Sequence, residues 1–239
     1  MQQETRYFRP TREAPLRVLF IGNSATYKNT LPETLCALAN EAGYPMVVSS
    51  VTPGGYTLTQ HADAATEHGR RVLNAIAEGH DAVFLQDNGN CVSSPEMSEA
   101  ARVAFSTLCA AIRRAGSQPM AYVRPPYATE KFGYDVVGQC RALDELFGDL
   151  CHVHDAIPAY VNRAFAHAYL TLPYDLWCHD RGHTSLHGAY LAICVFFATL
   201  FGVSSTKLGT LSLPAEEARD LQNVADRVAL EGLIPWETL

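Results

Sequence analysis

The sequence predicts an α/β fold in which a central parallel sheet of about five strands is covered by helices on both faces. Short apolar runs alternate along the chain with longer stretches of helical periodicity. Turn-forming Gly, Pro and Asn residues separate the two kinds of segment. A length of 239 residues suits one α/β domain. We therefore expect a single domain over 1–239, with its core at about 16–202 and a C-terminal helical extension at 203–239.

The first half of the chain contains three predicted strands, each followed by a predicted helix. Thr30 and Glu33 have the spacing of a capping box, and Gly43 can adopt the left-handed conformation that ends a helix. Ser94 followed by Pro95 is typical of an N-cap and a first helical residue. The predicted strands are Leu16–Ile21, Met46–Val51 and 82–86, and the predicted helices cover about 31–42, 59–78 and the stretch from 95 to Gly116.

The second half repeats this alternation and then ends in helices. The fourth strand stops at Pro125-Pro126, and a short apolar run supplies the fifth strand. No repeat, low-complexity tract or linker divides the chain. The predicted strands are 119–123 and 150–153, and the predicted helices cover about 134–147, 158–169, 185–200 and 215–230.

The charge balance argues against nucleic acid as a partner. Eighteen basic residues stand against 25 acidic ones, a net charge of −7, so a phosphate backbone would repel the chain. The charged N-terminal segment lacks the apolar centre of a secretory signal, and the longest apolar stretch, 189–201, is too short to span a bilayer. Seven scattered cysteines without a C-x-x-C pair fit reduced thiols. We therefore expect a cytoplasmic protein with no membrane span.

Ser24 is the first candidate for a functional residue. Ligands of open α/β sheets bind at the carboxyl ends of the strands, which directs attention to the loops at 22–29, 53–57 and 86–90. Gly22-Asn23-Ser24 directly follows the first predicted strand. Backbone N–H groups and the helix dipole at such a turn favour developing negative charge. The alternative is that Asn23 and Ser24 only form a polar turn.

Asp180 and His183 form the second candidate pair. A serine hydroxyl is a weak nucleophile and needs a base, commonly a histidine held in one tautomer by a third group. Asp180 lies three residues before His183 in a tight turn containing Gly182, so it can bond Nδ1 and leave Nε2 to face a serine. The alternative is a surface turn that precedes a helix cap.

Taken together, these residues resemble the sequence blocks of the SGNH hydrolases, also called the GDSL esterase/lipase superfamily, in the branch that opens with G-N-S-x-T. Residues 22–26 read G-N-S-A-T, and residues 53–57 read P-G-G-Y-T, which resembles the second block. Residues 84–88 read F-L-Q-D-N where the family has G-x-N-D, with Gln86 in place of the glycine and Gly89 in place of the aspartate. The last block is matched by Asp180, His183, Ser185, Gly188, Tyr190, Leu191 and Ala192.

The resemblance covers about 16–202 and implies a flavodoxin-like, three-layer α/β/α sandwich. It also implies hydrolysis of carboxylic esters through an acyl-enzyme, without a cofactor or a metal. The residues it implies are, for catalysis, Ser24, Asp180 and His183, and, for the oxyanion hole, Ser24, Gly55 and Asn88, with Gln86 as the rival of Asn88. The expected partner is a small-molecule ester, and acetyl esters, including those on carbohydrates, are favoured over long lipids.

Two other functions stay open. His179, His183 and His187 recur at four-residue intervals and on one continuous helix would form a zinc site of a metal-dependent hydrolase. Against this, Gly182 interrupts that helix and no H-E-x-x-H motif is present. A non-catalytic, flavodoxin-like binding domain is the other alternative, since a fold alone does not establish a function. The sequence does not indicate an oligomeric state.

Overall fold

The computed structural model describes residues 7–237, and at its centre lies one sheet of five parallel strands. The strands are β1 (Leu16–Ile21), β2 (Met46–Val51), β3 (Ala82–Leu85), β4 (Gln118–Tyr122) and β5 (Ile157–Ala159). They lie in the order β2-β1-β3-β4-β5, which confirms the predicted α/β fold with a flavodoxin-like parallel sheet. The strand order reverses between β1 and β3, so a ligand crevice is expected at the carboxyl ends of these two strands.

Helices connect the strands and complete a three-layer sandwich. They are α1 (Ser24–Tyr27), α2 (Leu31–Glu41), α3 (Leu58–Ala62), α4 (Glu67–Ala77), α5 (Pro95–Arg114), α6 (Val136–His154), α7 (Val161–Thr171), α8 (Leu186–Phe201) and α9 (Ala215–Ala229). One face of the sheet is covered by α2, α7, α8 and α9, and the other by α3, α4, α5 and α6.

The central strands are buried on both faces, and their side chains alternate between the two cores. Phe20 of β1 stacks on Phe84 of β3 with ring centroids 4.9 Å apart, and both rings meet Phe196 of α8 edge-on. Leu19 and Ile21 point to the opposite core. Because both faces of a parallel sheet are covered, these strands are continuous apolar runs in the sequence.

Helix α8 is the most deeply buried helix of the fold. Its residues 188–201 are all buried, and Gly202, at φ 63°, ends it. The C-terminal helix α9 packs on α8 within the same core, where Leu221 and Ala225 are fully buried and Gln222 donates a hydrogen bond to Tyr190 Oη at 2.7 Å. Within residues 7–237, no helix combines the length and the apolar character needed to span a membrane.

The fifth strand lies after the position predicted for it. Residues 150–153 are the last turns of α6, which ends at Asp155 in a left-handed conformation, φ 48°. Leu150 and Cys151 face the core from this helix, so an apolar run of four residues was a helix segment and not a strand. The strand is Ile157–Ala159, and Pro158 is tolerated there because β5 lies at the edge of the sheet.

The single helix predicted over 59–78 is two helices with a turn between them. Thr57 and Gln60 form a capping box at the start of α3, and Thr66 caps α4 by accepting a hydrogen bond from Gly69 N. Gly69 lies directly against the turn, since a Cβ there would come within 2.0 Å of Asp63 O. The prediction was wrong because the Thr66 cap and the turn before it lie inside the stretch that was assigned to one helix.

The predicted capping box of Thr30 and Glu33 is also absent. Thr30 has φ 46°, and its hydroxyl makes no capping hydrogen bond to a backbone N–H of α2; it lies 3.1 Å from the Thr34 hydroxyl instead. The preceding residue, Asn29, is left-handed as well, at φ 56°, and its Nδ2 donates to Thr184 O at 2.8 Å. This long-range contact directs the backbone away from the extended conformation that an N-cap residue needs.

Candidate active site

Ser24 begins α1, three residues beyond the buried end of β1. Asn23 caps this short helix, because its Oδ1 accepts a hydrogen bond from Ala25 N at 3.0 Å. The same side chain donates through Nδ2 to Tyr56 O at 2.8 Å. Tyr56 belongs to the loop after β2, so the two loops are tied together. Ser24 is thereby presented at the carboxyl edge of the sheet.

His183 and Asp180 reach Ser24 from a loop 159 residues away along the chain. His183 Nε2 lies 2.9 Å from Ser24 Oγ, and His183 Nδ1 lies 2.6 Å from Asp180 Oδ2. An ionised carboxylate only accepts, so Nδ1 carries the proton and Nε2 of the neutral ring accepts from the serine hydroxyl. The structure therefore brings together all three residues that the sequence indicated for catalysis, in the order carboxylate, imidazole, hydroxyl.

Asp180 is held as a carboxylate by hydrogen bonds and lies partly exposed to solvent. Its Oδ1 accepts hydrogen bonds from Gly182 N and His183 N, each at 3.0 Å. The bond from the His183 ring, together with these two backbone bonds, keeps the pKa of Asp180 well below its usual range. The Asp180 side chain is 53% exposed, so water can reach the Asp180–His183 pair from the Asp180 side.

The loop that carries His183 is anchored on both sides of the turn. Trp177 and Thr184 form an antiparallel bridge, and Cys178 N donates to His183 O at 2.7 Å. Trp177 is also fixed from outside the loop, because its Nε1 donates to Pro126 O at 2.9 Å. These contacts hold the imidazole in place before any substrate binds.

Two backbone N–H groups are free to receive an oxyanion. Among residues 7–237, neither Ser24 N nor Gly55 N donates a hydrogen bond to another group of the protein. Gly55 has φ 77°, a conformation that favours glycine. Both groups lie in loops at the carboxyl ends of β1 and β2, so their N–H bonds are available to a ligand in the crevice.

The Asn88 side chain borders the same crevice in the loop after β3. Its Nδ2 donates to Gly55 O at 3.3 Å, and its Oδ1 accepts from Asn90 N at 3.2 Å and from Tyr127 Oη at 3.4 Å. The two donors fix the orientation of the amide. One Nδ2–H remains unused by the protein, which is what an oxyanion donor requires.

Gln86, the rival of Asn88, lies below the crevice and is 1% exposed. Its Oε1 accepts from Asn23 N and from Thr26 Oγ1, each at 2.9 Å, and its Nε2 donates to Asp87 O. Both ends of the amide are therefore engaged inside the protein. Gln86 supports the turn that carries Ser24, and Asn88 is the amide that faces the crevice.

Gly89, at the position where the SGNH pattern has aspartate, is closely packed against neighbouring side chains. A Cβ on Gly89 would lie 2.3 Å from Arg124 Nη1 and 2.7 Å from the Tyr127 ring. The Arg124 guanidinium in turn stacks on the Tyr127 ring at 4.4 Å. Arg124 and Tyr127 come from the loop after β4, and both side chains would have to move to admit a side chain at 89. The departure from the family pattern therefore lies beside Asn88 and leaves its amide in the crevice.

Asp87 supports Asn88 from beneath. It is 3% exposed, and its Oδ1 accepts from Asn88 N at 2.7 Å and from Leu58 N at 2.9 Å. Burial raises the pKa of Asp87 to about 6, against the opposing influence of these hydrogen bonds and of Arg124. Asp87 thus joins the loop after β3 to the start of α3.

His61 lies under the nucleophile turn and does not line the crevice. It is fully buried in α3, with Nε2 2.9 Å from Gly22 O and Nδ1 3.0 Å from His68 Nε2. Burial lowers the pKa of His61 to about 4, so its ring is neutral at neutral pH.

This buried histidine predicts a specific loss of stability in acid. The pKa of His61 is lower in the folded state than the value of about 6.5 in the unfolded chain. The contribution of His61 to the free energy of unfolding is therefore fully present above pH 6.5 and is lost as the pH falls toward 4. We expect it to lower the free energy of unfolding by on the order of 2 kcal/mol between pH 7.5 and pH 5. Urea unfolding at both pH values measures this change.

The matched variant for that measurement is His61→Gln, which has no titratable group. It should lose less stability between the two pH values than the wild type does. A residual slope is expected, because burial also lowers the pKa values of His68, His80 and His167. Equal slopes in the two proteins would contradict the prediction.

The three histidines of the zinc alternative do not converge. His183 faces Ser24, whereas His187 Nε2 lies 2.6 Å from Glu217 Oε2 on α9. His179 is exposed in the loop before α8. Across the described part of the chain, no group of three or more His, Cys, Asp or Glu side chains is arranged to hold a metal ion.

A groove of about 600 Å³ is lined by residues that follow Ser24 and His183 along the chain. Tyr27, three residues after Ser24, lines it, and the Tyr27 hydroxyl lies near the loop after β2, since a Cβ on Gly54 would be 3.3 Å away. Three exposed apolar side chains, Tyr27, Leu186 and Leu211, converge on the groove. The remaining lining residues are Lys28, Asn29, Thr30, Thr34, Ala189, Ile193 and Ser212.

Comparison with known proteins identifies the fold. No protein-family model matches the sequence, and no curated protein matches it significantly. A solved structure from Slackia heliotrinireducens, described as a candidate SGNH hydrolase, has 26% identity and a TM-score of 0.67 over 77% of this chain and 98% of its own. A DUF4886 family protein from Bacteroides uniformis has 17% identity and a TM-score of 0.78 over 94% and 99%.

A third structure adds an enzyme with a named activity. Axe2, an acetylxylan esterase from Geobacillus stearothermophilus, has 15% identity and a TM-score of 0.60 over 80% of this chain and 95% of its own. The chain therefore has the SGNH-type α/β/α fold, and its structural neighbours are SGNH hydrolases and GDSL-like esterases at low identity. This similarity suggests an esterase.

Proposed function

We propose that this chain, which has the fold of the SGNH hydrolases, is a serine esterase that works through an acyl-enzyme on Ser24. One observation carries the proposal. Asp180, His183 and Ser24 form an unbroken hydrogen-bonded line, with steps of 2.6 Å and 2.9 Å, at the edge of the sheet where the strand order reverses. Such a line is the arrangement that activates a serine hydroxyl as a nucleophile.

Acylation follows from the direction of these hydrogen bonds. His183 Nε2 takes the hydroxyl proton while Ser24 Oγ attacks the ester carbonyl carbon. The negative charge that develops on the carbonyl oxygen is stabilised by Ser24 N, Gly55 N and Asn88 Nδ2. When the tetrahedral intermediate collapses, Nε2–H gives its proton to the departing alcohol oxygen. Asp180 stabilises the imidazolium that exists between these two transfers.

Deacylation repeats the same steps with water. The freed Nε2 removes a proton from a water molecule, which attacks the acyl carbon. The same three donors hold the second oxyanion, and the proton returns to Ser24 Oγ as the carboxylic acid leaves. The half-exposed position of the triad supports this step, since water reaches Asp180 and His183 from solvent.

For the substrate, we propose a small acyl ester, with the alcohol part in the groove that starts at Tyr27. The leaving oxygen must come close to His183 Nε2, and Leu186, three residues after His183, lines the groove. An aromatic side chain with hydroxyl and amide groups around it suits the face and edge of a sugar ring. Axe2 acts on acetylxylan by its name, so acetylated sugars are the first carbohydrates to test.

The proposal is tested by covalent labelling and by an ester series. A fluorophosphonate should modify the purified protein, and peptide mass spectrometry should locate the adduct on Ser24. Hydrolysis of p-nitrophenyl esters should be fastest for acetyl and fall as the acyl chain lengthens. A chelator should leave both results unchanged, whereas loss of activity would favour a metal-dependent hydrolase. No label and no hydrolysis would favour a binding domain.

Asn88→Ala tests the oxyanion assignment. Removing one such donor typically lowers turnover by about 100- to 1,000-fold, and we expect a loss in that range in kcat with a much smaller change in KM. The matched control is Asn90→Ala, because Asn90 is exposed and contacts Asn88 through its backbone N–H only. Full activity in the Asn88 variant would show that the donor is a different group.

A cytoplasmic location also stays a proposal. All seven cysteines are unpaired thiols, and burial raises the pKa values of six of them, Cys36, Cys91, Cys109, Cys140, Cys151 and Cys194. Such thiols are unreactive and fit a reducing compartment. Fractionation of cells that express the tagged protein would test the location.

A further inference from the structure

The peptide unit between Gly22 and Asn23 is held at both ends by buried side chains. Its carbonyl, Gly22 O, lies 2.9 Å from His61 Nε2, and its N–H, on Asn23, donates to Gln86 Oε1 at 2.9 Å. This is the last peptide unit before the one that carries Ser24 N. Its plane therefore sets the direction in which Ser24 leaves the sheet.

The proton on His61 has only one position that satisfies its neighbours. A carbonyl oxygen accepts and cannot donate, so Nε2 carries the proton and donates to Gly22 O. In a neutral ring Nδ1 then accepts, and the proton comes from His68 Nε2 at 3.0 Å. His68 thus fixes the tautomer of His61 in the way that a supporting group fixes a catalytic histidine.

His61 is also held sterically by the residue that anchors Asn23. The ring of Tyr56 packs on His61 and His68, with centroids 5.7 Å and 4.6 Å away. The carbonyl of the same Tyr56 accepts the hydrogen bond from Asn23 Nδ2 at 2.8 Å. The loop after β2 and helix α3 therefore act on the nucleophile turn through two contacts, one to the Asn23 side chain and one to the Gly22 carbonyl.

We propose that His61 is a positioning residue for Ser24, which aligns the serine hydroxyl and the Ser24 N–H by fixing the Gly22–Asn23 peptide plane. This inference rests on the proposed serine esterase function. His61 has no contact with Ser24 itself and acts through the backbone. If the His61 N–H is removed, the buried carbonyl of Gly22 loses this hydrogen bond, and the Gly22–Asn23 peptide plane can rotate. Displacements of about 1 Å in a catalytic group lower rates by about 100-fold.

Two variants separate alignment from folding. In His61→Gln the amide Nε2 can occupy the place of the ring Nε2 and donate to Gly22 O. In His61→Asn the shorter amide cannot reach it. Both are neutral, polar and smaller than histidine, so they disturb the packing in similar ways. The control is His154→Gln at the opposite edge of the sheet, where His154 Nε2 contacts Ser106 Oγ.

The readouts are kcat and KM for p-nitrophenyl acetate, the rate constant of fluorophosphonate labelling and the melting temperature. We expect His61→Asn to lower kcat and the labelling rate by about 10- to 100-fold, with KM within about threefold of the wild type. His61→Gln should stay within about threefold of the wild type in all three constants. Both variants should melt at similar temperatures.

Wild-type rates in His61→Asn would overturn the inference, and so would an equal loss in both variants. If neither variant folds, His61 serves folding and the positioning role is rejected. Failure of the underlying function looks different. In that case the wild-type protein itself is neither labelled on Ser24 nor active on esters, and the positioning role falls with it.

Discussion

Replacing Ser24 by Ala is expected to lower kcat for ester hydrolysis by about 10⁴- to 10⁶-fold, as the removal of other triad serines does. The hydroxyl oxygen forms the covalent bond to the acyl group, so the acyl-enzyme cannot form in the Ala variant. Within residues 7–237, Ser24 Oγ is the only hydroxyl hydrogen-bonded to His183. The measurement is a continuous assay with p-nitrophenyl acetate at high enzyme concentration, together with fluorophosphonate labelling.

The control for this variant is Ser106→Ala, which makes the same chemical change in α5, away from the crevice. It should keep wild-type kcat and labelling. Ser24→Ala should melt close to the wild type, because the Ser24 hydroxyl makes one hydrogen bond among the described residues, to His183. A Ser24→Ala protein with more than about 1% of wild-type kcat would mean that another group is the nucleophile.

The strands around the site were predictable because their signal is local. Strands β1 and β2 begin and end at the predicted residues, since each is a short, Val-containing segment bounded by turn residues. Ser94 and Pro95 marked the start of α5 for the same reason. The errors arose where local signals coincide. The apolar run at 150–153 fits a helix as well as a strand. The break between α3 and α4 is marked by the cap at Thr66, inside the stretch that was predicted as one helix.

The residues of the candidate site also fall into those that the sequence predicted and those that it did not. Ser24, Asp180 and His183 could be found from sequence because each lies in a short segment whose residue types carry the chemistry. The roles of Gln86 and His61 could not be found this way, since their partners lie 63 and 39 residues away. One signal for His61 was available. It lies three residues after the buried Leu58 in a helix and so shares its inward face.

Replacing Asp180 by Asn is expected to lower kcat by about 10³- to 10⁴-fold, close to the effect of the same change in a well-studied triad. The Asn Oδ1 can keep both backbone hydrogen bonds, from Gly182 N and His183 N. Its Nδ2 then donates to His183 Nδ1, which forces the ring proton onto Nε2. In that tautomer His183 cannot accept the proton of Ser24. The assay is again p-nitrophenyl acetate hydrolysis, with Asp175→Asn as control.

Asp175 is the suitable control because it lies in the same loop, pairs with Arg181 at 2.8 Å and does not contact His183. Asp180→Ala distinguishes a wrong tautomer from a lost charge. The Asp180 side chain is 53% exposed, so water can replace it and still accept the proton of His183 Nδ1. The Ala variant should therefore retain more activity than the Asn variant, although it loses the same charge. If the Asn variant is as active as the Ala variant or more active, a wrong tautomer does not explain the loss, because the two variants lack the same charge and differ only in the amide.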